Sequence, residues 1–140
     1  MSRFVLDNTV TMAWCFTDEA TEFTETLLRR LSNLTDSAIV PALWLYEVVN
    51  VTELAVRKGR ITSERARAFL ESLADLPIEI ENPALPQIFV SVRALVGQYK
   101  LTAYDASYLE LAIRHNLPIA ASDNALVTAA QTAGVNLVQL

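Results

Sequence analysis

Short apolar runs alternate with longer helical stripes from one end of the chain to the other. Phe4-Val5-Leu6 is continuously apolar and stops at Asp7, as a buried strand does. Between Glu19 and Leu34, the residues Phe23, Leu27, Leu28, Leu31 and Leu34 recur on one helical stripe. Ala38-Ile39-Val40 predicts a second strand, ended by Pro41. Ala42 to Lys58 predicts a helix apolar almost all round, expected to be buried on most sides. Gly59 suits the residue just past its end. Thr62 or Ser63 opens a helix with Ala66, Phe69, Leu70 and Leu73 inward, and Ile78-Glu79-Ile80-Glu81 alternates as a strand with one wet side. Ile88, Phe89, Val92, Leu95, Val96 and Tyr99 mark the next helical stripe. Another helix starts at Thr102 and carries Tyr108, Leu109, Ala112 and Ile113 inward. Leu117 to Ala121 and Val135 to Leu140 are the last two predicted strands, separated by a helix from about Asn124 to Thr132 that Gly134 closes.

Five strands alternating with helices favour right-handed βα crossovers and one mainly parallel five-stranded sheet. With no internal repeat or composition break, residues 1–140 read as a single α/β domain. The chain is 52% hydrophobic and 19% charged, which excludes a disordered protein; only three Gly and five Pro leave little material for long loops. Its net charge of −5 repels nucleic acid, so an anionic substrate needs a local remedy. Cys15 is the single cysteine and lies in the apolar run Met12-Ala13-Trp14-Cys15-Phe16, the setting of a structural thiol rather than a nucleophile. The apolar stretch after Arg3 is too short for a signal peptide, and Ala38 to Tyr46 is too short to span a bilayer. A cytoplasmic, soluble protein is expected.

Four acids fall where the chain leaves a strand or enters a helix. Asp7 directly follows the first strand, and Asp123 follows the fourth with Ser122 between them. Glu47 lies near the start of the most apolar helix, and Asp105 in the first turn of the helix opening at Thr102. Ligands of open parallel sheets gather beyond the carboxyl ends of the strands, so these positions can converge. Asp7 and Asp123 are also plausible helix caps, and Thr102 with Asp105 has capping-box spacing. Capping does not account for Glu47, set among Tyr46, Val48 and Val49, where an ionised carboxylate is costly unless compensated. Small polar residues accompany the acids: Thr9 after Asp7, Asn50 one turn after Glu47, Thr102 before Asp105, and Ser122 beside Asp123. Groups of this kind hold carboxylate rotamers or coordinated water, and equally serve ordinary turns and caps.

Carboxylates gathered in one pocket repel, and without a cation some take up protons. No Lys, Arg or His adjoins Asp7, Asp105 or Asp123, and the lone His115 is expected at the surface late in its helix. An all-oxygen acidic set suits Mg²⁺ or Mn²⁺ rather than zinc. Such an ion would reverse the local charge, admit a phosphodiester and support in-line displacement.

These segments in this order resemble a PIN-domain ribonuclease of the VapC type, the toxin of a toxin–antitoxin pair. The resemblance rests on Phe4-Val5-Leu6-Asp7-Asn8-Thr9, on the run from Val40 to Asn50, on the run from Leu101 to Ala112, and on Pro118-Ile119-Ala120-Ala121-Ser122-Asp123. It implies a three-layer α/β/α sandwich and metal-dependent endoribonuclease activity, with Asp7, Glu47, Asp105 and Asp123 as catalytic metal ligands. It also implies a homodimer, and inhibition by a cognate antitoxin occupying the active-site groove. Two departures stand out. Thr9 replaces the commoner Ser, and no further acid follows Asp123 through Val127, which bears on a second metal site.

RNA would need basic contacts, for which Arg57, Lys58, Arg60, Arg65 and Arg67 form one group and Arg29-Arg30 another. The alternative to a nuclease is a catalytically weak or inactive PIN-like module that binds RNA or a partner protein. Aspartyl phosphoryl transfer at Asp7 fits less well. Thr9 stands where such phosphatases carry a second Asp, and nothing basic follows Asp123 closely.

Overall fold

The run Phe4-Val5-Leu6 becomes the middle of the sheet, each residue no more than 2% exposed. The computed structural model describes residues 2–140. Strand β1 (Ser2–Leu6) leads into α1 (Asn8–Ala13), a 3₁₀ turn (Thr17–Glu19) and α2 (Glu22–Ser32). Strand β2 (Asp36–Pro41) leads into α3 (Leu43–Arg57) and α4 (Ser63–Ala74). After β3 (Ile78–Glu81) come a π-helical segment (Gln87–Val92), α5 (Arg93–Tyr99) and α6 (Ala103–His115). Finally β4 (Ile119–Ala120) precedes α7 (Asn124–Thr132).

The strand order is β3-β2-β1-β4 and every pairing is parallel, with Val5 opposite Ile39 on one side and Ile119 on the other. The chain steps outward from β1 to β3, then crosses back past β1 to β4. Right-handed crossovers therefore place α1–α4 on one face and α5–α6 on the other. Helix packing agrees: α1 meets α2 and α3, α3 meets α4, and α6 meets α5 and α7. The carboxyl ends of β1 and β4 lie side by side, bringing the segments after Leu6 and after Ala120 together.

The sheet has four strands, not the expected five. Val135 to Leu140 contributes a single parallel bridge, Leu137 to Ile119, held by Ile119 N–H to Asn136 O (2.9 Å) and Val138 N–H to Ile119 O (3.0 Å). The cause lies in β4, which extends for only two residues and offers its outer neighbour one residue's worth of ladder.

Three helical readings also change. Helix α1 fills a stretch for which only a cap at Asp7 is read from the sequence; Thr9, Val10 and Thr11 are β-branched and disfavour helix, and burial of Val10, Thr11, Met12 and Ala13 overrides that preference. Helix α3 buries one stripe, Trp44, Val48, Thr52 and Ala55, whereas Leu45, Tyr46, Val49 and Leu54 face solvent. Phe89 points outward rather than along the inner stripe of its segment. The wider π turn shifts the phase of the helix, leaving Val92 buried and Phe89 and Val90 outside.

Candidate active site

Asp7 sits one residue past β1, only 3% exposed, at the N-cap position of α1. It does not cap that helix: its side chain makes no capping bond. Instead it accepts from the Thr9 hydroxyl. Burial pushes the Asp7 carboxyl up, its hydrogen bonds pull the other way, and the charge of Asp123 adds to the rise. Thr9 also accepts from the Ser122 N–H (3.2 Å), so one hydroxyl ties the end of β1 to the turn after β4.

Glu47 enters from α3. Its Oε1 accepts from the Tyr108 hydroxyl of α6 at 2.5 Å, joining the two helices at the site. Burial raises the Glu47 carboxyl, the phenol opposes that, and Asp7 raises it further. A second link fixes α3 against β1: the Trp44 indole donates to the Thr11 hydroxyl (3.0 Å), which donates to the Asp7 carbonyl (3.2 Å).

Asp105 lies in the first turn of α6, where Thr102 caps the helix by accepting from the Asp105 N–H (3.1 Å). Its carboxyl is pushed up to about 7 by burial first, then by the nearby carboxylates of Asp123, Asp7 and Glu47. Asp123 caps α7 through Oδ2, which accepts from Leu126 N–H (3.1 Å). Each of the four acids thus acts electrostatically on at least one other, and Asp105 feels all three of the rest. None forms an ion pair: every salt bridge among the described residues uses other carboxylates.

The polar companions divide. Thr9 touches Asp7 directly; Ser122 acts through its backbone N–H, with its side chain exposed; Thr102 serves as a cap. Asn50 is exposed, and the partner Glu47 takes is Tyr108. From the sequence, Tyr108 reads as a core residue alone. Its position three residues after Asp105, on the same helical face, was the available signal. The buried Asn8 Oδ1 beside Asp7 also lacks a hydrogen-bond partner.

The residues fit a hard divalent cation by donor chemistry. They offer carboxylate oxygen only, with Asn8 Oδ1 as an unpartnered neutral oxygen nearby. Among the described residues, however, no three His, Cys, Asp or Glu side chains converge closely enough to form a ready-made cage. Three of the carboxylates are held by separate donors instead: Asp7 by Thr9, Glu47 by Tyr108 and Asp123 by the Leu126 N–H.

The basic groups expected near RNA are largely engaged elsewhere. Arg60 binds Asp18 and Glu19 and lies over the Phe16 ring (3.7 Å), Arg65 donates to Cys15 O, Arg67 faces Glu71, and Arg30 binds the buried Asp36.

A parallel α/β sheet with acids past its central strands defines the class. A PIN domain model matches residues 4–131, and the chain belongs to the PIN domain family. The fold is similar to three solved structures. PAE2754 from Pyrobaculum aerophilum is 19% identical with TM-score 0.64, the match covering 91% of this chain and 84% of that one. VapBC2 from Rickettsia felis bound to a DNA fragment from their promoter gives 13% and 0.67, covering 97% of each chain. FitAcB from Neisseria gonorrhoeae gives 16% and 0.64, covering 97% of this chain and 96% of that. No curated protein matches the chain. Among the described residues, no helix is long and apolar enough to cross a membrane.

Proposed function

We propose that the chain is a Mg²⁺- or Mn²⁺-dependent endoribonuclease and the toxin of a toxin–antitoxin pair. The observation that carries this reading is a set of four interacting carboxylates, three raised by burial and by one another, with no cationic side chain paired to any of them. Membership of the PIN family, whose members are generally nucleases, supports the reaction class. The likeness to VapBC2 and FitAcB supports an antitoxin as partner. An apolar groove of about 400 Å³ on α3, α4 and β3, lined by Leu45, Val49, Leu70 and Ile80 among others and apart from the four acids, would offer such a partner contact area beyond the active-site groove. A homodimer belongs to the same reading, supported by the exposed Leu85, Phe89 and Val90.

Asp7, Glu47, Asp105 and Asp123 would hold the cation. When bound, it lowers the pKa of water and offsets charge on the leaving oxygen of a phosphodiester. The protein's own contribution is to fix the carboxylates. Thr9 orients Asp7, Tyr108 orients Glu47, and the Leu126 N–H anchors one oxygen of Asp123. Burial and the neighbouring acids let Asp105 hold a proton near neutral pH, and a bound cation would favour its ionised form.

Purified chain, free of partner, is expected to cut RNA with Mg²⁺ or Mn²⁺ and to stop in EDTA. Asp7→Asn should lose at least about a hundredfold in rate, since it removes a ligand charge. Equal cleavage by both proteins would overturn the assignment.

A further inference from the structure

Three aromatic side chains are exposed among the described residues: Tyr46 (77%), Phe89 (63%) and Tyr104 (63%). Two of the three stand immediately before a candidate site acid, Tyr46 before Glu47 and Tyr104 before Asp105. Neither ring belongs to the hydrophobic core or packs against it. Successive residues on a helix project about 100° apart, so each ring leaves its helix one position from the acid and turned toward solvent, at the rim of the site rather than in it. The hydrogen bond between Glu47 and Tyr108 joins α3 to α6, so the two rings occupy the two helices that border one site.

Charge argues in the same direction. In a chain of net −5, Arg3, Arg30, Arg60, Arg67 and Arg114 are all committed to carboxylates. Arg29, Arg57, Lys58, Arg65, Arg93 and Lys100 form no ion pair among the described residues, and contacts that do not depend on charge would add to what these cations hold. Aromatic faces supply such contacts to unpaired bases, whatever their sequence, whereas bases stacked inside a duplex cannot use them.

We propose that Tyr46 and Tyr104 are stacking platforms that hold unpaired bases of single-stranded RNA beside the acids. The inference rests on the nuclease reading for the place of the substrate, but it makes a separable claim about how that substrate is gripped. Both phenols are dispensable in it, because the ring face carries the contact.

Binding of a single strand carrying 2-aminopurine is followed by fluorescence in the Asp7→Asn background with Mg²⁺ present, where cleavage is suppressed. The expected result is quenching on binding, with affinity that falls only gently as salt rises. Tyr46→Ala and Tyr104→Ala should each weaken it roughly tenfold, and Tyr46→Phe with Tyr104→Phe should restore affinity to within about twofold. The matching duplex should bind much more weakly. No quenching, or an alanine double variant that binds as the parent does, overturns the proposal. Cleavage kinetics of the otherwise native chain separate the two readings. An unchanged KM in the alanine double variant, with Mn²⁺-dependent cleavage intact, sinks the platforms and leaves the nuclease. Quenching that depends on the rings in a chain that never cleaves sinks the nuclease and leaves the platforms.

Discussion

Helix α6 carries acids toward both of its ends, and the surroundings treat them in opposite ways. Toward its C-terminus, Glu110 pairs with Arg114 (2.7 Å), which also reaches Glu81 at the end of β3 (2.5 Å), and Glu81 takes the His115 ring at 2.5 Å. Burial works against the Glu81 charge, yet His115 and Arg114 hold its carboxyl below the usual range. At the N-terminus, Asp105 meets only other acids and a phenol-bound Glu47, and its carboxyl rises to about 7. One end has satisfied its charges with protein cations and acts as a clamp between α6 and β3. The other end has left them unsatisfied. A buried carboxylate without a partner is destabilising, so its persistence points to something outside the chain that completes it.

Substitutions should separate the two ends by the sign of their effect on stability. Arg114→Ala leaves Glu110, only 8% exposed, without its partner and should cost roughly 2–3 kcal/mol, read as a lower midpoint in urea. Asp7→Asn removes an unpaired buried charge and should leave metal-free stability unchanged or raise it by about 1 kcal/mol at pH 8. If both variants lose stability alike, the contrast between the ends is wrong.

Tyr108→Phe should keep the fold, because the ring remains in the core, while releasing Glu47. Affinity for Mn²⁺ should fall about tenfold, with a smaller change in melting temperature. Loss of fold without a change in metal affinity would return Tyr108 to a purely structural role.

The pH response is the most graded test. Asp7, Glu47 and Asp105 have carboxyls raised in the folded state. The contribution of Asp105 is fully present below about pH 4, where unfolded carboxyls are protonated too, and is lost as pH rises through about 7, while Asp7 and Glu47 act in the same direction. Glu81 runs the other way: its carboxyl is lowered, so its contribution is present above the unfolded value and lost as pH falls through the folded one. Metal-free melting temperature should therefore decline from about pH 5 to pH 8 and also drop in stronger acid. Mg²⁺ should restore stability at pH 8 and do little at pH 5.

Much of this was legible in the sequence. Apolar runs such as Phe4-Val5-Leu6 and Ala38-Ile39-Val40 state burial on both faces, and their order states the parallel sheet. The acids were legible because each follows a strand or opens a helix. The fifth strand was not, since Val135 to Leu140 reads as a strand and only the two-residue length of β4 limits its pairing. Nor was the exposed side of α3, because an apolar residue such as Tyr46 or Val49 carries no mark of whether something covers it. Tyr108 was hidden for a third reason: a phenol that points at a carboxylate looks, in sequence, like any aromatic on an inner stripe.

Titration of the metal-free chain with Mn²⁺ near pH 7.5 by calorimetry, in two buffers of different ionisation enthalpy, bears on the central claim without needing a substrate. The expected result is saturable binding accompanied by proton release, as Asp105 gives up its proton, and loss of that binding in Asp7→Asn. Absence of saturable binding, or binding that survives unchanged in Asp7→Asn, would contradict it.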